Sequence, residues 1–147
     1  MENVEVFTNH NLAGMFLIQG EDVEKYALAV ARSCGLEEFD INIVFVDDKR
    51  MTELNRQYRK REGTTDVLSF NLSDEGSTIL EGEIYVSAPR AHKQATEHGV
   101  SPEKELIRLV THGLLHLAGR THDSEENYQS MAEETDTYVH QFFRDRM

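Results

Sequence analysis

The chain has 147 residues, a net charge of −12 and a single cysteine, Cys34, so it suits one domain (1–147) that buries a core without internal disulfides. No apolar run approaches the roughly 18 residues of a membrane span, and Met1 to Gly20 lacks the basic start and long apolar stretch of a secretory leader. A cytoplasmic protein without a membrane partner is therefore expected, and the acid excess counts against nucleic-acid binding unless a local basic cluster offsets it.

In chain order, Val4, Val6 and Phe7 suggest a first strand, and Met15 to Ile18 form a short apolar run able to pack beneath it. From Glu21 to Cys34, Val23, Ala27, Val30, Ala31 and Cys34 keep a helical period, with Gly35 as the stop. Cys34 on that inner face reads as a buried small hydrophobe. Ile41 to Val46 is branched and apolar enough for a central strand. A second helix is expected from about Asp48 to Arg59, burying Met51, Leu54 and Tyr58 and presenting Lys49, Arg50, Arg56 and Arg59 elsewhere. Arg59, Lys60 and Arg61 then make the densest positive patch.

Thr64 to Phe70 marks a strand entered through a polar turn, Leu72 to Gly82 reads as loop, and Glu83 to Ser87 as another strand. Helices are expected from Ser87 to His98 and again after Ser101, where Pro102 takes the favoured first position. Asp123 and Glu126 fit a capping box for a last helix whose inner face would be Tyr128, Met131, Thr135, Tyr138, Val139 and Phe142. His140 should be solvated. The order implies an α+β domain: a mixed four-stranded sheet covered by about five helices.

The chemistry concentrates in Thr111 to His122, THGLLHLAGRTH. His112 and His116 are four apart, which on a helix stacks two imidazoles on one face about 6 Å apart along the axis. They flank a buried stripe of Leu106, Leu109, Val110, Gly113, Leu114 and Leu117. Gly119 can take the left-handed conformation that ends a helix and lets His122 swing back. Three imidazoles with no fourth protein ligand suit one divalent ion per chain, zinc first, with an open position for water. Such an ion brings the pKa of water to about 7 and polarises a phosphoryl or carbonyl oxygen.

Metzincin peptidases use a similar three-His arrangement, but carry Glu directly after the first His as general base. Here that residue is Gly113. A peptidase remains an alternative, as does a non-enzymatic assembly factor with a structural metal, for which His92 or His98 could serve as fourth ligand. Asp66 and Ser69 could orient a ligand, although Asp66 suits a turn cap equally well.

Several segments together resemble the YbeY family of bacterial ribosomal RNA maturation factors. They are Leu54, Asn55, Tyr58 and Arg59, then TTDVLSF (Thr64 to Phe70), GEIYVS (Gly82 to Ser87) and HGLLHLAG (His112 to Gly119). The resemblance implies a zinc-dependent endoribonuclease specific for single strands, acting on ribosomal RNA at the small-subunit 3′ end and in ribosome quality control, with the ribosomal subunit as partner and no DNA substrate. It also implies that His112, His116 and His122 ligate zinc and that Arg59 binds the scissile phosphate. Two departures stand out: Arg120 and Thr121 replace the family's usual Tyr and Asp, and Glu83 replaces Asp. Arg120 would add positive charge beside the metal.

Overall fold

The computed structural model describes residues 1–8, 14–59, 65–120 and 123–146. Its strands are β1 (Glu2–Thr8), β2 (Phe39–Val46), β3 (Val67–Asn71) and β4 (Leu80–Ser87). Its helices are α1 (Gly20–Ser33), α2 (Asp48–Arg59), α3 (Ala88–His98), α4 (Pro102–Leu117) and α5 (Glu125–Asp145). The sheet runs β1-β2-β4-β3, parallel except for the β3–β4 pair, which is antiparallel. This is the expected mixed sheet with five helices, and β3 is one of its two free edges.

Alternation along β2 sorts the core. Phe39, Ile41, Ile43 and Phe45 point to one face, where they meet Val23, Ala27 and Val30 of α1 and Leu106, Ile107, Val110 and Leu114 of α4. Each such fully buried aliphatic contributes about 1.5–3 kcal/mol. Val44 and Val46 point the other way, toward a small cluster with Met51 and Leu54 of α2 and Leu68 of β3. Phe16 and Ile18 pack on the larger cluster, as their apolar run suggested. Cys34 is buried with Leu115 and Met131, and burial pushes its thiol pKa up, so it behaves as a small hydrophobe.

Helix α4 crosses β4 at two glycines. A Cβ on Gly113 would lie 2.6 Å from Cγ2 of Ile84, and one on Gly82 would lie 2.8 Å from Cδ1 of Leu117. Each glycine thus accepts the side chain of the other element, which fixes the helix along the strand. The helix starts at Ser101, whose Oγ accepts from Lys104 N at 3.1 Å, with Pro102 following. It ends at Gly119, whose φ is 91°. There Gly119 N donates to His116 O and Arg120 N to Leu115 O, the paired bonds of a glycine-terminated helix.

Four expectations are corrected. β4 begins at Leu80, not Glu83, because Leu80 to Gly82 pair with Phe39 to Ile41 of β2, and that pairing overrides the local turn signals. Helix α5 is capped by Ser124, which accepts from Asn127 N at 3.1 Å, while Asp123 accepts from the Asn127 side chain. Tyr128 lies outside the α5 inner face, 62% exposed. Tyr58 is 57% exposed, because α2 has run past its core by the last turn. His140 is exposed as expected.

Candidate active site

The glycine contacts turn one side of α4 toward the sheet and leave His112 and His116 on its flank, both half-buried. Their Nε2 atoms stand 2.9 Å apart, with the rings edge-to-face at 4.5 Å between centroids. Two imidazole nitrogens held this close together are the donor type a zinc ion takes, and would fill two of its positions. On a tetrahedral centre, nitrogens at ordinary bond lengths lie about 3.3 Å apart. The residues present therefore fit the metal. His122 lies outside the described residues, and among the described residues no group of three His, Cys, Asp or Glu side chains is assembled for a metal.

The pair sits beside a fixed charge array on the same helix. Glu105 is buried, and its carboxylate accepts from Arg108 Nε and, at 3.3 Å, from Arg108 Nη2. His98 Nδ1 lies 3.1 Å from the same carboxylate. Arg108 and His112 both line a cleft of about 100 Å³ between α4 and α5, closed by Tyr128, Met131 and Thr135. His92, the other spare ligand, is 2.5 Å from Met15 O through Nε2 and packs on Phe16. Both spare histidines are thus engaged away from the pair.

Arg120 does not add free charge to the site. Its Nε and Nη2 donate to the two carboxylate oxygens of Glu134 at 3.2 and 3.1 Å, and Nη1 to Ala118 O at 3.4 Å. The Glu134 carboxylate holds the guanidinium pKa above its ordinary value and neutralises it. The local compensation expected from Arg120 is therefore absent.

The other motifs meet at the β3 edge. Asp66 Oδ1 accepts from Val67 N at 2.8 Å and Oδ2 from Gln94 Nε2 at 3.3 Å, so its carboxylate holds the turn into β3 and the flank of α3. Ser69, half-buried, sits on the β3 face that looks toward α4. Helix α2 is fastened at its start, where Ser87 Oγ donates to Asp48 Oδ1 at 2.8 Å, and Met51 and Leu54 bury its middle. Arg59 closes it. The Arg59 side chain, with Lys60, Arg61, Thr64 and Thr121, lies outside the described residues.

The family model for endoribonuclease YbeY matches residues 17–143. This chain belongs to the YbeY endoribonuclease family. Proteins bearing that name are similar across most of both chains. That of Aquifex aeolicus is 34% identical over 83% of this chain and 82% of its own, and that of Petrotoga mobilis 39% identical over 86% and 85%. The solution structure of a Thermotoga maritima protein superimposes with a TM-score of 0.66 at 28% identity, covering 97% of this chain and 90% of that one. YbeY membership accounts for the order of the motifs, and the geometry accounts for Gly113 inside HGLLHLAG. In this family fold the position lies against Ile84, so a glutamate base of the metzincin kind has no room.

The spacing put His112 and His116 on one helix face, where their rings do meet, but it put Tyr58 in the core, where the structure leaves it exposed. The spacing of Met51, Leu54 and Tyr58 reads as one face, and only the length of α2 relative to the sheet reveals that its last turn projects beyond cover.

Proposed function

We propose that this protein is a zinc-dependent endoribonuclease that cuts single-stranded RNA, with ribosomal RNA as its substrate on the ribosomal subunit, in 3′ end maturation of the small-subunit RNA and in ribosome quality control. The observation that carries this is the convergence of His112 and His116 at 2.9 Å, joined to membership of an endoribonuclease family. His112, His116 and His122 would hold one zinc ion per chain. When bound, zinc supplies Lewis acidity at a phosphoryl oxygen and acidifies water.

The chain's own residues do the remainder. Glycines 113 and 82 lock α4 on β4, so the two imidazoles are held in place before substrate arrives. Arg59 is the cation assigned to the scissile phosphate: a guanidinium there stabilises charge that grows on the phosphoryl oxygens more than it stabilises the ground state. With glycine at 113, no carboxylate follows the first His to take a proton, which argues against peptide hydrolysis. The engagement of His92 and His98 elsewhere argues against a closed structural metal.

The test is cleavage of single-stranded and duplex RNA by wild type, His116→Ala and Arg59→Ala, with and without chelator. Wild type should cut only the single strand. Chelation and His116→Ala should abolish cutting, and Arg59→Ala should slow it by about a hundredfold or more. Undiminished cleavage by His116→Ala would overturn the assignment.

A further inference from the structure

Arg108, His112 and His116 follow one another on α4 at four-residue steps, so they share one face of the helix, each about 6 Å along the axis from the next. Arg108 and His112 also line the cleft against α5. The cleft therefore shares a wall with the His pair.

Arg108 is held on that wall by a carboxylate that water does not reach. The Glu105 side chain is 1% exposed and accepts from Nε and Nη2 of the guanidinium, the kind of partner a buried carboxylate requires. This pairing occupies one edge of a planar fork. Among the described residues no acceptor engages Nη1, and the Arg108 side chain keeps 35% of its surface in water. Arg120 differs, since its Nη1 is spent on Ala118 O.

The facing wall suits what a phosphate is attached to. Tyr128 and Asp136 lie two turns apart on one side of α5 and both line the cleft, with Tyr128 exposed and Met131 buried between the helices. An aromatic ring takes a base through its π-face, a guanidinium edge takes a phosphate, and a carboxylate accepts from a ribose hydroxyl or a base amino group. Those are the three parts of a nucleotide. Arg108 stands one helical turn before His112, a step comparable to that between neighbouring phosphates of an extended strand. A base stacked inside a duplex has no free face to offer, so a ring in this position selects unpaired strands.

We propose that the cleft between α4 and α5 seats one unpaired nucleotide beside the bond cut at the His pair, with Arg108 on its phosphate and Tyr128 on its base. This rests on the endoribonuclease reading and gives its preference for single strands a physical source.

The probe is adenosine 5′-monophosphate, which has no phosphodiester to cut, titrated into the zinc-loaded protein and followed by NMR, with adenosine and inorganic phosphate as separate arms. The nucleotide should shift the resonances of the Tyr128 ring, the Met131 methyl and the Arg108 guanidinium. Tyr128→Ala should weaken the nucleotide roughly tenfold and leave inorganic phosphate within about twofold. Arg108→Lys keeps a cation on Glu105 but has no second edge to offer, so it should weaken the nucleotide about tenfold, leave adenosine within about twofold and melt close to wild type. On single-stranded RNA both variants should raise KM and keep kcat, whereas a merely structural Arg108 would lower the melting temperature and leave KM alone. Unchanged nucleotide affinity in either variant would overturn the subsite, and should Arg108→Lys fail to fold, Tyr128→Ala decides alone. Protein that seats the nucleotide in the cleft but never cuts RNA would overturn the nuclease reading and leave the subsite standing. Cutting with unchanged KM in both variants would do the reverse.

Discussion

The two faces of the sheet are covered very differently. On one, α1 and α4 bury Ile41, Ile43, Ile84, Leu106 and Leu114 completely, and a pair of glycines brings helix and strand into contact. On the other, Met51 and Leu54 of α2 share a smaller buried cluster with Val46 and Leu68, against which Val44, Phe70 and Tyr85 are partly buried, and Tyr58 at the end of α2 is exposed. The first face fixes the imidazoles to a rigid frame. The second, thinly covered, leaves the Tyr58 ring exposed on Phe70 at the β3 edge. Rigid packing is thus concentrated on one side of the sheet, and substitutions there should weigh most on stability.

The largest effect on stability should come from the well-packed face. Ile84→Ala removes a fully buried side chain and should lower unfolding free energy by about 2–5 kcal/mol in denaturant melts. Gly113→Ala should come next. Alanine favours a helix by about 1 kcal/mol over glycine, yet its Cβ would meet Ile84 Cγ2 at 2.6 Å, and overpacking of this kind costs about 1–3 kcal/mol. A net loss is expected, and the combination with Ile84→Ala should recover part of it, because that change removes the opposing methyl. A more stable Gly113→Ala protein would show that the crossing is looser than described.

Tyr26 is a smaller probe of the same face. Its hydroxyl shares a 2.6 Å hydrogen bond with Thr111 Oγ1, and burial raises its pKa above the ordinary tyrosine value. With the folded pKa raised, this group leaves stability untouched while tyrosine is neutral in both states. Stability falls as pH climbs past about 10, where the unfolded chain ionises first. Tyr26→Phe should cost about 1 kcal/mol at neutral pH and flatten the alkaline decline in melting temperature.

Arg120→Ala should do least. The pair with Glu134 is partly exposed, worth about 0–1 kcal/mol, and its charge is already neutralised. RNA affinity and its salt dependence should match wild type. A flatter salt dependence would mean that Arg120 leaves Glu134 to meet phosphate.

Much of this was legible in the sequence where the signal is local. The HGLLHLAG run fixes its own geometry through helical spacing and a terminating glycine, and the period-two pattern of Ile41 to Val46 marks the central strand. What escaped depends on distant partners. Arg120 looked like a free cation until Glu134, fourteen residues on, was seen to grip it. Leu80 to Gly82 looked like loop because their pairing with β2 lies about forty residues back. Tyr58 kept the phase of a buried face, and only the sheet's width decides where that face ends.

The central claim concerns the imidazoles at the end of α4. Elemental analysis of metal-stripped protein, reloaded with zinc and dialysed, should find one equivalent per chain in wild type and little or none after His112→Ala, His116→Ala or His122→Ala, with each variant folded by circular dichroism. No stoichiometric metal in wild type, or full retention in all three variants, would contradict a zinc centre at these residues.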